Sequence, residues 1–287
     1  MPSLKDKTIF ITGATRGIGR EIALRCARDG ANIVVTGKTA EAHSRLPGTI
    51  HSVAAEVVAA GGNALAVQLD VRDDVAVAAA VAQAAAKFGG IDMLVNNASA
   101  IQLTDTQNTP MKRFDLMWGV NARATFACSQ ACIPHLETAA AERGGAHILT
   151  LSPPLNLDPK WFEAHTAYTI SKYGMSLCTL GIAAELAADA ATAGIAVNSL
   201  WPRTTIATAA IAVNFPPAIL QASRTPAIMA DAAYVIFTRD RDGRAAASGN
   251  FYIDEDVLRQ SGVMDFSAYA VTPGTPDEKL FKDLFLD

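Results

Sequence analysis

Cysteine is scarce and forms no metal-like or redox-like pattern: Cys26, Cys128, Cys132 and Cys178 contain no CxxC pair. The chain runs straight from charged residues into an apolar strand (MPSLKDKTIFITG), so no leader segment is expected. Reduced, mostly buried thiols and a cytoplasmic location are the expectation, rather than disulfides or zinc. No apolar run reaches the roughly eighteen residues of a membrane span. A basic block is also missing: 24 Lys and Arg stand against 28 Asp and Glu, for a net charge of −4. That balance argues against nucleic acid or an anionic membrane as partner and in favour of a small molecule. Neither low-complexity stretches nor a fixed-period repeat is present, which excludes a solenoid or propeller.

What is present suits one large core, since half of the 287 residues are apolar. Short apolar segments alternate with helical ones. Strands are predicted at Thr8–Thr12, Asn32–Thr36, Ala64–Leu69, Met93–Asn96, His147–Leu151, Ala196–Leu200 and Asn250–Ile253. Helices are predicted near residues 18–29, 51–60, 73–88, 111–141, 167–192 and 227–237. Ala-rich stretches at 76–86 and 183–193 combine helix propensity with small size for close packing on a sheet. The alternation predicts a single α/β domain, a Rossmann-type doubly wound parallel sheet of about seven strands with helices on both faces. Its ligand crevice should lie outside the carboxyl ends of the strands.

The motifs fall at those ends. Thr12-Gly13-Ala14-Thr15-Arg16-Gly17-Ile18-Gly19 follows the first strand and opens the first helix, the context in which a glycine turn seats a pyrophosphate. Gly13 permits the tight turn, Gly17 the close approach of phosphate, and Gly19 close packing of helix on strand, while the helix N-terminus offers free N–H donors. The second strand ends in Thr36-Gly37-Lys38-Thr39 with no acid to bind a ribose. Lys38 and Arg16 can instead meet a 2′-phosphate, favouring NADP(H) over NAD(H). His43 and Arg45 are further candidates to close over it, although a solvent-exposed loop explains them as well. Asp70-Val71 closes the third strand, where Asp70 serves either an adenine amine or the cap of the next helix. Asn97 and Ala98 close the fourth and could present backbone groups to the cofactor ribose, or the Asn97 amide could simply brace the strands.

Tyr168 and Lys172 stand one helical turn apart in TAYTISKYGMS. A free phenol has a pKa of about 10, and a nearby ammonium is expected to lower it, so that Tyr168 can pass a proton to a carbonyl oxygen. Taken in order, Thr12–Gly19, Asp70, Asn96-Asn97-Ala98, Asn121, Ser152, Tyr168-x-x-x-Lys172 and Pro202 resemble the short-chain dehydrogenase/reductase family over roughly residues 5 to 255. Residues 28–40, 156–159, 167–176 and 201–204 are similar to its hydroxysteroid dehydrogenase-like branch, which often carries a C-terminal sterol-carrier domain; no such domain is expected within these 287 residues.

The resemblance implies a tetrad of Asn121, Ser152, Tyr168 and Lys172. Tyr168 would donate the proton, Ser152 would bond the developing alkoxide, Lys172 would hold the nicotinamide ribose, and Asn121 would steady the lysine through a water and a local helix irregularity. It also implies that Pro202, with Thr204, Thr205 or Thr208, approaches the nicotinamide amide. Two departures stand out: the Ser152-to-Tyr168 interval is long, and Arg203 stands where the family has glycine. Arg203 is either an anchor for an acidic substrate group or a rim residue. Residues 153–165 and 204–226, rich in large apolar side chains, are expected to cover an apolar substrate or to pack between subunits of a homodimer or homotetramer. The tail 254–287 is expected to wrap its own subunit or a neighbour. The expected activity is hydride transfer between NADP(H) and an apolar or lipid-like carbonyl or secondary alcohol. A non-catalytic NADP(H) sensor or scaffold is the alternative, and an epimerase or dehydratase fits less well.

Overall fold

The computed structural model describes residues 3–42, 47–239 and 247–287. Seven parallel strands form one sheet in the order β3-β2-β1-β4-β5-β6-β7. They are β1 (Thr8–Ile11), β2 (Asn32–Gly37), β3 (Asn63–Gln68), β4 (Met93–Asn96), β5 (Ala146–Thr150), β6 (Ile195–Trp201) and β7 (Phe251–Ile253). Both faces of the central strands are apolar, so their side chains divide by strict alternation. Ile9, Ile11, Ile33 and Val35 pack against α1 (Gly17–Ala27), α2 (Ile50–Ala59), α10 (Ala227–Thr238) and α11 (Asp254–Gln260). Phe10, Val34, Leu94, Ile148 and Val197 pack against α3 (Asp74–Phe88), α5 (Ala124–Glu142) and α7 (Thr166–Ala187). Helices therefore cover both faces, as the sequence pattern predicts.

Chain order reverses at β1, which has β2 on one side and β4 on the other. This switch point opens the crevice between the carboxyl ends of β1 and β4. The single helix predicted over 111–141 is three pieces: α4 (Met111–Trp118), a π-helical turn (Gly119–Arg123) and α5. Short helices α6 (Lys160–Glu163), α8 (Ala209–Asn214) and α9 (Pro217–Gln221) occupy segments whose patterns were too brief to read. Among the described residues, no helix is long and apolar enough to cross a membrane.

The tail folds back on its own chain. Thr205 N–H donates to Phe281 O at 2.9 Å, Phe281 N–H to Ala222 O at 2.8 Å and Asp283 N–H to Arg203 O at 3.1 Å. Arg224, fully buried, ties the same loop to α11 and the tail through Glu255 at 2.9 Å and Asp277 at 3.0 Å. Phe285 closes the lacing: it is buried among the rings of Trp161, His165, Tyr168, Tyr173 and Trp201.

Candidate active site

Two glycines with left-handed backbones shape the turn after β1, Gly13 at φ +67° and Gly17 at φ +57°. Those angles suit residues without a Cβ. Beneath them Asn97 donates through Nδ2 to Thr12 O at 2.8 Å and Gly13 O at 3.0 Å, while the N–H groups of Asn97 and Ala98 meet Thr12 Oγ1 at 2.9 and 3.0 Å. A Cβ on Gly19 would lie only 2.5 Å from Asn97 Nδ2. Asn97 thus braces the turn, with its side-chain amide committed to protein. Ala14 is turned into the core, its N–H donating to Thr36 O at 2.8 Å.

A groove over the turn is lined by Gly13, Thr15, Arg16, Gly17, Ile18, Lys38, Asp70, Val71, Asn97 and Ala98, together with Thr39 and Arg72, which sequence reasoning did not single out. At one end, three cations (Arg16, Lys38 and Arg72) stand against one carboxylate. Arg72 Nε lies 3.0 Å from Asp70 Oδ1, and Lys38 Nζ lies 3.1 Å from Asp70 Oδ2. Hydrogen bonding from Arg72, then from Lys38, holds the Asp70 carboxyl well below the usual carboxylate range. Arg16 Nη2 donates to Thr39 Oγ1 at 3.1 Å, and burial lowers its pKa. A turn with glycine at its two left-handed positions, a helix N-terminus and a cationic end fit a dinucleotide. His43 and Arg45 lie outside the described residues.

A second cavity, of about 140 Å³, shares Ile18, Asn97, Ser99 and Thr208 with the groove. Tyr168, Lys172 and Pro202 line it. Lys172 Nζ donates to Leu151 O at 2.6 Å, touches Met175 Sδ at 3.3 Å and sits 4.9 Å from the Trp201 ring centre. Burial lowers the Lys172 pKa to about 7, against the opposing pull of Asp283. The Tyr168 phenol is shifted the other way: burial, reinforced by the Asp283 charge, raises its pKa. The expected lowering of the phenol by its lysine is not met in this cavity, where desolvation is the largest influence and acts the other way.

Asn121 lies in the π-helical turn, where its Oδ1 accepts from Ala100 N–H at 2.8 Å and its Nδ2 donates to Ala100 O and Ser171 Oγ, both at 2.9 Å. The turn crosses α7 at Gly174, where a Cβ would fall 2.6 Å from Ala122 Cβ. That close crossing lets Asn121 couple the segment after β4 to the helix bearing Tyr168 and Lys172.

Ser152 is not brought to the cavity. Its buried hydroxyl meets Ser199 Oγ at 2.8 Å, which in turn meets Thr179 Oγ1 at 2.8 Å. Successive side chains of an extended segment point to opposite sides, and Leu151 is the one that lines the cavity. By the same alternation, the next side chain on that side belongs to Pro153, which has no hydroxyl. Neither Thr204 nor Thr205 lines the cavity: the Thr204 hydroxyl is buried without a hydrogen-bond partner among the described residues, and the Thr205 hydroxyl meets Ser223 Oγ at 2.7 Å. Thr208 lines both spaces and stands over Gly17. Arg203 is a paired rim residue, with Nη2 2.5 Å from Asp256 Oδ1 and Nε 3.4 Å from Glu255 Oε2. Of the covering segments, Ile206, Ile211 and Phe215 reach the cavity, whereas Leu157 and Val213 are exposed.

The geometry joins a dinucleotide groove to an apolar cavity holding one phenol and one ammonium, the parts of a carbonyl–alcohol hydride-transfer site. Comparison with known proteins agrees. The family model for short chain dehydrogenase matches residues 7–215. The Xenopus tropicalis hydroxysteroid dehydrogenase-like protein 2 is 54% identical over 280 residues, which cover 98% of this chain and 63% of that protein. The chain thus spans under two thirds of that relative's length. A solved Xanthomonas campestris structure is 54% identical with a TM-score of 0.90, covering 99% of each chain. A 7α-hydroxysteroid dehydrogenase solved with NADH and 7-oxo glycochenodeoxycholic acid is 28% identical with a TM-score of 0.71, covering 88% of this chain and 93% of that one. Fold, turn, groove and cavity together with these likenesses establish that the chain belongs to the short-chain dehydrogenase family.

Proposed function

We propose that the chain is an NADP(H)-dependent carbonyl reductase or alcohol dehydrogenase for an apolar, lipid-like ketone or secondary alcohol. The observation that carries this reading is the convergence of Tyr168 and Lys172 on one apolar-walled cavity that opens into the glycine-turn groove. When bound, the nicotinamide cofactor supplies or takes up the hydride. In reduction, Tyr168 gives its proton to the carbonyl oxygen. Lys172, anchored on Leu151 O, holds the ribose and places positive charge beside the phenol. Asn121 is a positioning residue, acting through Ala100 and Ser171.

The preference for NADP(H) is supported by the net positive groove end and by Gly37, where even a Cβ would fall 2.7 Å from Thr15 Cγ2. A ribose-binding acid therefore has no room there. Lys38→Asp is expected to shift the ratio of NADPH to NADH activity at least tenfold toward NADH; an unchanged ratio refutes the preference.

Tyr168→Phe is expected to abolish turnover while leaving NADPH affinity within about twofold, since it removes only the transferred proton. Retained turnover in that variant eliminates the assigned proton donor. A wild-type protein that binds NADPH but reduces no carbonyl in a steroid, acyl-thioester, quinone and aliphatic ketone panel is a sensor instead.

A homodimer or homotetramer belongs to the same reading. Its support is the exposure of Trp118, Phe126, Leu177 and Leu180 on α4, α5 and α7. Sedimentation velocity reads the assembly directly, and a monomer at micromolar concentration refutes it. A cytoplasmic location is likewise proposed, with cell fractionation as its check.

A further inference from the structure

We propose that Asp283, carried to the cavity by the C-terminal tail, is a substrate-contacting specificity residue that selects carbonyl compounds bearing a hydroxyl group beside the reacting carbon. The inference rests on the carbonyl-reductase reading and names the substrate feature that the same site recognises.

The observation is an acceptor without a protein donor in a mostly apolar wall. Asp283 is the only carboxylate among the described residues that line the cavity with Tyr168 and Lys172, and most of its neighbours there, including Leu151, Trp201 and Leu284, are apolar. One oxygen, Oδ1, accepts from Leu284 N–H at 2.7 Å. Oδ2 has no hydrogen-bond partner among the described residues, and Lys172 directs Nζ to Leu151 O rather than into an ion pair with Asp283. A carboxyl group placed in an apolar wall costs free energy unless something hydrogen-bonds to it. Burial accordingly pushes its pKa up to about 7.

Its position is enforced from three sides. Asp283 N–H donates to Arg203 O at 3.1 Å, Trp201 Nε1 donates to Leu284 O at 3.0 Å, and Lys282 pairs in antiparallel fashion with Thr204. Two residues on, Phe285 is held at φ +71°, a left-handed conformation that a phenylalanine adopts only when its surroundings over-determine it. The ring box around it supplies that determination. A segment held this firmly presents Asp283 as a fixed feature of the site, like a side chain on a strand.

The cavity, about 140 Å³, confines Asp283 and the Tyr168 phenol to one small space. Tyr168 donates to the reacting oxygen, and Asp283 is the one carboxylate beside it, among the described lining residues, to accept from a hydroxyl on the substrate. With Oδ1 taken by Leu284 N–H, the other oxygen of Asp283 is an acceptor for which a substrate hydroxyl supplies the donor. A site built to bond a hydroxyl rejects the analogue lacking it, because the acceptor in this mostly apolar wall then faces apolar substrate in place of a donor.

The test compares paired ketones, a long-chain α-hydroxyketone against the same ketone without the hydroxyl and hydroxyacetone against acetone, by NADPH oxidation with wild type, Asp283→Asn and Asp283→Ala. Asp283→Asn retains an oxygen for Leu284 N–H and replaces the free acceptor with a donor. Wild type is expected to favour the hydroxylated member by roughly 100-fold or more in kcat/KM. Both variants are expected to lower that ratio at least tenfold, on top of any common change in both members that follows from losing the Asp283 charge near Tyr168 and Lys172. A purely structural role would depress both members equally, and that result, or a variant ratio equal to wild type, overturns the assignment. Equal use of both members by wild type overturns it while leaving the carbonyl reading intact. Failure of wild type on every pair overturns the assignment, and failure on the steroid, acyl-thioester and quinone carbonyls as well removes the reductase reading.

Discussion

The brace beneath the cofactor turn can be tested by a double-mutant cycle at Gly19 and Asn97. A Cβ at Gly19 would lie 2.5 Å from Asn97 Nδ2, 3.0 Å from Asn97 Cγ and 2.9 Å from Gly13 O. Within α1, Gly19→Ala on its own would gain about 1 kcal/mol of helix propensity. Forcing a methyl into filled space costs ~1–3 kcal/mol. The collision also pushes Asn97 off Thr12 O and Gly13 O, two hydrogen bonds worth ~1 kcal/mol each. Gly19→Ala is therefore expected to be net destabilising by about 2–4 kcal/mol, the clash and lost bonds outweighing the propensity gain. Its NADPH Kd should weaken by about tenfold, equivalent to about 1.4 kcal/mol. Asn97→Ala should cost ~1–3 kcal/mol by leaving two carbonyls without their donor. In that background Gly19→Ala meets no amide, only Gly13 O, so the double variant should be milder than the sum by about 2 kcal/mol, the two hydrogen bonds that both single variants lose. Urea denaturation and fluorescence titration with NADPH measure both quantities. Additivity within about 0.5 kcal/mol would show that the two residues are not in contact as described.

The position of Ser152 predicts that Ser152→Ala keeps kcat within about threefold, whereas losing a donor to the reacting oxygen costs ~10²-fold or more; a loss of that size in steady-state kinetics would return Ser152 to the chemistry. Arg224→Met is expected to destabilise by ~1–3 kcal/mol because it leaves buried Glu255 Oε1 without its donor while Arg203 stays beside Oε2, and to speed proteolysis within residues 261–287; wild-type urea stability in the variant refutes this. Burial raises the Asp254 pKa to about 7, above its ordinary 3.8. The stability this group contributes is thus fully present below its unfolded pKa and is lost as pH rises toward about 7. Asp254→Asn should flatten the fall in stability across that window, with the remaining slope owed partly to Asp283, whose pKa is raised in the same sense; identical pH slopes for variant and wild type would refute it.

Legibility followed distance along the chain. The glycine turn was readable because strand, turn and helix start are contiguous, and the free angles of Gly13 and Gly17 follow from local sterics. Tyr168 and Lys172 were readable because one helical turn places residues four apart on the same face. The absence of an acid after β2 was readable for a similar reason, since that position lies at a strand end beside the same turn. The π-helical turn was foreshadowed only by resemblance, because nothing in the pattern of residues 111–141 announces a break.

The sequence by itself determined the parallel sheet, its two apolar faces and the residues at its carboxyl edge, because strand alternation and helix periodicity are local properties of the chain. Only the tertiary structure decided which way Ser152 points, since a long interval before Tyr168 hides the parity that turns Leu151 to the cavity and Ser152 toward Ser199. It alone chose Thr208 over Thr204 and Thr205, because the tail's hydrogen bonds hold that loop in place. It also brought Asp283 beside a phenol more than a hundred residues earlier in the chain, through backbone pairing with Arg203 and the rings around Phe285. No spacing rule records contacts of that span, because they arise when separate elements pack, after each element's own pattern has been satisfied.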